Sequence, residues 1–193
     1  GLVLGGEVIF QQQFSPTERF FAVGSAVGRI YPSETSLSSF NFEAALGVEK
    51  SFGQTRASIA LTGAAGTSTA DINVLQGGIR GELSGRFANA PRWLWALNGQ
   101  ARLQDDLRTG SRDGVIVNLG GNLDRYFETG HFLRLGVRSE MTRFRVERYS
   151  YDEVGVFAGY ARPLPFGINA YAQGGIAWRD YRGLYPGLAE GQE

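Results

Sequence analysis

The chain has 193 residues and balanced charge, 19 Lys plus Arg against 19 Asp plus Glu, so it offers no field to recruit nucleic acid or an acidic surface. It has no Cys, which excludes a disulfide framework and a thiolate metal site and leaves the redox compartment open. No run approaches the ~20 apolar residues of a membrane-spanning helix; the chain carries no signal peptide and begins at Gly1 rather than Met, and so reads as a mature or trimmed product.

Helical periodicity is nowhere sustained. Period-two alternation recurs instead, in runs of about ten to thirteen residues, the length a tilted strand needs to cross a bilayer. The first two runs are 2–14 and 19–31. In the second, both Phe20/Ala22/Ala26/Ile30 and Phe21/Val23/Val27/Tyr31 are apolar, so its faces stay unassigned. Residues 40–52 alternate most clearly, with Phe40, Phe42, Leu46 and Val48 against Asn41, Glu43 and Glu49. Runs at 56–66 and 73–87 follow, the latter setting Leu75, Ile79, Leu83 and Phe87 against Gln76, Arg80, Glu82 and Arg86. Next comes 92–104, with Trp93, Trp95, Leu97 and Leu103 against Asn98, Gln100 and Arg102. The remaining runs are 114–127, 131–144, 151–162 and 167–180.

The connections alternate in length. Short ones hold Ser15-Pro16-Thr17-Glu18, Gly53-Gln54, Asn89-Ala90-Pro91, Glu128-Thr129-Gly130 and Pro163-Leu164-Pro165. Longer ones span Pro32–Ser39, Thr67–Asp71, Asp105–Asp113 and Arg145–Ser150. This is the rhythm of an outer-membrane barrel, with tight periplasmic turns and longer external loops. Two turns predict the register. Gly53-Gln54 suits a two-residue turn pairing Phe52 with Thr55, and Glu128-Thr129-Gly130 suits a three-residue loop pairing Phe127 with His131. The second register sets Asp124 opposite Arg134, a favourable cross-strand pair.

A soluble barrel or sandwich would bury the apolar face. Against that reading, the polar face carries both signs of charge: Glu7, Glu43, Arg56, Arg80, Glu82, Arg102, Asp124, Arg134, Arg138, Glu140 and Glu153. Such residues can pair across a polar lumen, whereas the one lysine, Lys50, sits beside a turn where it can snorkel. Aromatics gather at the strand ends. Phe14, Phe20, Phe52, Phe87, Trp93, Phe127, Phe132 and Phe166 flank the short turns, and Phe40, Tyr149, Tyr151, Trp178 and Tyr181 the long ones. Two such girdles bracket the apolar band of a membrane barrel. Ten strands of inward apolar side chains would also overfill a soluble core. The expectation is an all-β, antiparallel up-and-down transmembrane barrel occupying residues 1–193, set in outer-membrane lipid. The first run travels inward and the tenth outward, so an odd number of strands is expected before Gly1 and another after Glu193, given the even strand number of single-chain bacterial barrels.

The chemistry of catalysis is thin. His131 is the sole imidazole, which leaves Ser139 and Ser150 without a base, and one His with no Cys makes no zinc site. Asp105, Asp106 and Asp113 could hold Ca²⁺ but read better as solvated loop charges. Gly77-Gly78 and Gly120-Gly121 have no helix behind them to serve a phosphate. No enzyme activity, cofactor or metal is expected.

Tyr149-Ser150-Tyr151-Asp152, a strand, the Pro163-Leu164-Pro165-Phe166-Gly167 hairpin, and Trp178-Arg179-Asp180-Tyr181 leading into a Pro/Gly-bearing loop resemble, in that order, the C-terminal barrel of the surface lipoprotein assembly modifier (Slam) family. The likeness covers about a fifth of the chain by motif and the rest by pattern. It implies a barrel of about fourteen strands, an even number as the parity rule requires. It also implies a conduit helping a client lipoprotein, or a related secreted protein, to the cell surface. A passive diffusion porin and a polysaccharide-export barrel are the competing readings, since balanced lumen charge suggests no selective ring of one sign and excludes no pore.

Overall fold

Alternation of apolar and polar residues commits each run to a pleated strand with one face of each kind, and Gly- and Asn-bearing breaks turn the chain back on itself. The computed structural model describes residues 2–30, 38–68, 71–128, 130–164 and 169–183. It contains ten strands: β1 (Leu2–Ser15), β2 (Glu18–Ile30), β3 (Ser39–Phe52), β4 (Thr55–Ser68), β5 (Asp71–Phe87), β6 (Ala90–Asp106), β7 (Gly114–Tyr126), β8 (Phe132–Phe144), β9 (Tyr151–Pro163) and β10 (Asn169–Tyr181). They form one antiparallel up-and-down sheet in sequence order. Among the described residues the only helical turn is a 3-10 turn at Glu147–Tyr149. β1 and β10 do not pair, so the sheet is open with two edges.

The predicted registers are observed. Phe52 pairs with Thr55 across Gly53, whose φ is +60°, and Asp124 pairs with Arg134. The Phe127 N–H donates to the His131 carbonyl at 3.0 Å, and Gly130 closes the loop with φ of +81°. An L side chain is strained at such positive φ, so each turn is pinned by its glycine.

Three connections differ from expectation. The Thr67–Asp71 loop is shorter than expected: β4 runs to Ser68 and β5 starts at Asp71, with a register shift at Asn73, whose carbonyl accepts the Leu107 N–H at 3.0 Å. Asn73 shifts the register by one residue there, which lets both strands continue to the hairpin tip. The Asn89-Ala90-Pro91 turn moves to Ala88-Asn89, and Pro91 falls within β6, where the register shifts between Arg86 and Phe87. Proline lacks the N–H that a ladder needs, so a bulge is where it can sit inside a strand. The Pro163-Leu164-Pro165 connection is longer than expected, because Pro163 already pairs with Asn169. Its residues 165–168, with Phe166, lie outside the described residues, as does the loop at 31–37.

Side chains paired across antiparallel strands share a face, so the registers carry the face assignment across the whole sheet. They also settle β2. Val23 pairs with Ala45, Ser25 with Glu43 and Arg19 with Glu49, so Phe21, Val23 and Val27 share the polar face and Phe20, Ala22 and Ala26 the apolar one. The polar face is concave. One hollow of about 200 Å³ is lined from Glu7 on β1 to Arg102 on β6. At about 4.8 Å per strand, a flat sheet would hold those strands roughly 24 Å apart.

Candidate functional site

The concave face is the candidate site, because that is where the ionisable side chains converge. Registers place every charged residue expected to share a face on this one: Glu43, Arg56, Arg80, Glu82, Arg102, Asp124, Arg134, Arg138 and Glu140, together with Glu7 and Glu153.

Over β5–β10 these residues form a connected polar network. The Gln104 carbonyl accepts from the Gln76 amide at 2.6 Å, and the Gln76 carbonyl accepts from Arg102 Nη1 at 2.9 Å. With its amide nitrogen oriented toward Glu140, Asn118 donates to Oε2 at 2.7 Å and accepts from Arg102 Nη2 at 3.1 Å. The Tyr151 hydroxyl donates to the other Glu140 oxygen. Arg179 then lies over the Tyr151 ring at 4.1 Å and reaches Glu153 through Nε at 2.8 Å and Nη2 at 2.5 Å, with Arg138 at 3.4 Å from the second Glu153 oxygen. Glu153 is only 9% exposed and Asp124 only 5%. A carboxylate so desolvated needs paired donors. Arg134 gives Asp124 a two-pronged clamp at 2.8 and 2.7 Å, joined by the Asn122 amide at 2.9 Å. The fork of a guanidinium matches a carboxylate in this way, which a lysine cannot do.

Aromatic rings thicken the same half of the face. Phe157 lies over Gly136, where an added Cβ would come within 2.2 Å of its ring. Phe132, Tyr151 and Tyr181, read from the sequence as girdle residues, belong by register to this polar face. Tyr151 and Tyr181 flank Arg179, at 4.1 and 5.9 Å. The sequence signal that could have placed them is parity: Phe132, Tyr151 and Tyr181 each stand two residues from a polar-face charge on the same strand, Arg134, Glu153 and Arg179 respectively.

Over β1–β5 the face holds fewer linked charges, and the Phe21 ring lies over Gly47. Glu49 bridges Arg19 at 2.8 Å and Arg56 at 3.1 Å near the short-turn end. Arg19 escaped the sequence reading because the double-sided apolarity of β2 hid its face. Above that pair, Ser25, Ala45, Ala60 and Thr62 present only small side chains, and the hollow opens between Glu7, Glu43, Arg80 and Arg102. Among the described residues Glu7, Glu43, Arg80 and Glu82 form no ion pair.

On the opposite face, near the strand ends, stand the girdle residues Phe20, Phe40, Phe52, Phe87, Trp93 and Trp178 by register, with Phe127 against Arg125 of that face and Phe14 exposed at the irregularity of β1. Between them large apolar side chains face outward uncovered: Leu97 is 56% exposed, Leu119 59% and Val137 56%. Lys50 reaches over Phe52 and pairs with Glu18 at 2.6 Å.

The three loop aspartates do not converge. Asp105 and Asp106 project to opposite faces, and Asp113 accepts the Asp106 N–H at 2.8 Å. Asp106 itself caps the loop, accepting the N–H groups of Arg108 and Thr109 and the hydroxyls of Thr109 and Ser111. The Thr109 hydroxyl, aided by these other donors and opposed by partial burial, holds the Asp106 carboxyl below its ordinary range. Ser150, weighed above as a nucleophile, uses its Oγ to accept the Phe144 N–H at 2.8 Å, and His131 stacks on Phe127 at 4.5 Å. No family model matches this chain, and neither a curated protein nor a solved structure matches it.

Proposed function

We propose that this chain is the wall of a transmembrane β-barrel in a bacterial outer membrane, and that the barrel helps carry lipoproteins or related proteins to the cell surface. One observation carries the membrane reading: the sheet is inside-out relative to a soluble domain. Its large aliphatic side chains lie on the uncovered convex face, while Asp124 and Glu153 are sunk into the concave one. Leaving the exposed portions of Leu97, Leu119, Val137 and Ile176 in water would forfeit roughly 1–2 kcal/mol each, which lipid recovers. The open edges of β1 and β10 then pair with further strands in a closed barrel of about fourteen, since an edge in hydrocarbon would leave its backbone groups unsatisfied.

For transport, the support is the resemblance of the Tyr149-to-Tyr181 segment to the Slam family, together with the uneven filling of the concave face. A wall already filled by Arg179, Phe157, Glu140 and Arg138 obstructs free diffusion, whereas a client can be handed along the hollow between Glu7, Glu43, Arg80 and Arg102. The hollow between Glu7, Glu43, Arg80 and Arg102 is the one observation favouring a passive porin instead. The test measures surface exposure of candidate client lipoproteins in cells lacking the protein, with single-channel conductance of the purified protein in planar bilayers. Translocation predicts a client retained inside and little steady current. Large persistent currents with every client still displayed would defeat it in favour of the porin.

A further inference from the structure

Charge on the convex apolar face is sorted by end. Over β6–β10 the registers put three carboxylates on that face, Asp105, Asp152 and Asp180, all at the long-loop end. Two cations stand beside them, and Asp152 engages both, Arg143 at 2.7 Å and Arg182 at 3.0 Å, which leaves Asp105 and Asp180 without an ion pair among the described residues. At the short-turn end the same face carries Arg125 and Arg162, both exposed and, among the described residues, in no ion pair. Arg125 lies against two aromatic rings, Trp93 at 5.3 Å and Phe127 at 4.9 Å. Phe127 stacks on His131 at 4.5 Å, and His131 leans on Tyr160 at 5.7 Å. Tyr160 precedes Arg162 on the same face of β9. A basic and aromatic rim therefore runs from β6 to β9, and the carboxylate in its turn, Glu128, is taken up by Arg92 rather than by Arg125 or Arg162.

Directly beside this rim the apolar face is indented. A shallow groove of about 780 Å³ lies between Trp95, Leu97, Leu123, Val137 and Ile176, with Gly121 and Gly174 leaving its floor without side chains. Leu123 is two residues from Arg125, so groove and cations are continuous along one strand face. A guanidinium held over aromatic rings by its carbon still has N–H groups to donate, in the fork geometry that fits phosphate.

We propose that this rim and groove bind an anionic phospholipid of the leaflet at the short-turn end, its phosphate on Arg125 and Arg162 and an acyl chain along the groove. The inference rests on the membrane reading above and adds headgroup selection to it. Charge complementarity selects the occupant: an apolar slot alone would accept any chain, but uncompensated arginines at one end and carboxylates at the other favour an anion at the arginine end only.

The test uses the folded protein in vesicles mixing phosphatidylcholine with phosphatidylglycerol, one lipid at a time carrying brominated chains that quench tryptophan. Trp95 lines the groove and Trp93 the rim. Each arginine near an anionic surface should add roughly fivefold to the preference for phosphatidylglycerol. The unmodified protein should show that preference, and salt should reduce it. The double variant Arg125→Gln/Arg162→Gln should lose it, Arg125→Lys/Arg162→Lys should keep most of it, and Asp105→Asn/Asp180→Asn should leave it unchanged. Equal quenching by the two lipids in the unmodified protein, or an undiminished preference in the glutamine variant, overturns the headgroup site while the membrane reading stands. Absence of quenching by either brominated lipid overturns both.

Discussion

Leu97 and Asn98 are neighbours in sequence and point to opposite faces of β6, one 56% exposed on the apolar side and the other beside the polar hollows of the concave side. If the convex face meets hydrocarbon, Leu97→Arg places a charge in mid-bilayer at a cost of roughly 2–4 kcal/mol. Asn98→Arg adds one cation to a face that already holds many. Folded yield in lipid should therefore drop sharply for Leu97→Arg and little for Asn98→Arg, and equal losses would count against the face assignment. At the loop rim, Asp106 gives a pH-dependent case. Its carboxyl is held below the ordinary value of 3.8, so the stabilisation of the loop is full above that value and is lost as pH falls through the lower folded value. Because the chain has no cysteine, a nitroxide on Leu107→Cys reports this loop alone. Its spectrum should hold steady from pH 7 to about 4.5 and sharpen below the carboxylate range. In the Asp106→Ala background it should be sharp throughout.

At the scale of elements, period-two alternation and turn chemistry made nearly the whole meander legible, including two registers that depend on Gly53 and Gly130. The deviations share a cause. Asn73 and Pro91 sit at bulges, where one or a few extra residues on one strand change loop length without changing the alternation around them. A reading built on alternation has no signal there. Most charges of the polar network were legible, but Asn118, Tyr151 and Arg179 were not read as its members, and the neutral amide of Asn118 that joins Arg102 to Glu140 carries no signal in the charge pattern. Likewise the pairing of ring with glycine could not be read, since it needs the register between two strands. That pairing gives a test of strand packing. Gly136→Ala would drive a methyl into the Phe157 ring, 2.2 Å away, at a cost of about 1–3 kcal/mol in urea unfolding. In a Phe157→Ala background the same change should cost much less; additive effects would mean that the ring does not rest on Gly136.

On the scale of the whole molecule, the arrangement is one curved wall with its two faces exchanged relative to a soluble protein. The concave side is unevenly furnished: tied together by Arg102, Asn118, Glu140, Arg179 and Glu153 over β5–β10, and opening into a hollow between Glu7, Glu43 and Arg80 over β1–β5. The central claim is that lipid covers the convex side and water reaches the concave one. Single cysteines placed in turn at Trp95, Leu97, Asn98, Leu119, Asn118, Val137 and Arg138, each carrying a nitroxide, test it directly in the reconstituted protein. Collision with oxygen, which concentrates in hydrocarbon, should be high at positions 95, 97, 119 and 137. Collision with a water-soluble nickel chelate should be high at 98, 118 and 138, giving a period of two along each strand. The reverse phase, or high nickel collision at 97, 119 and 137, would contradict the account.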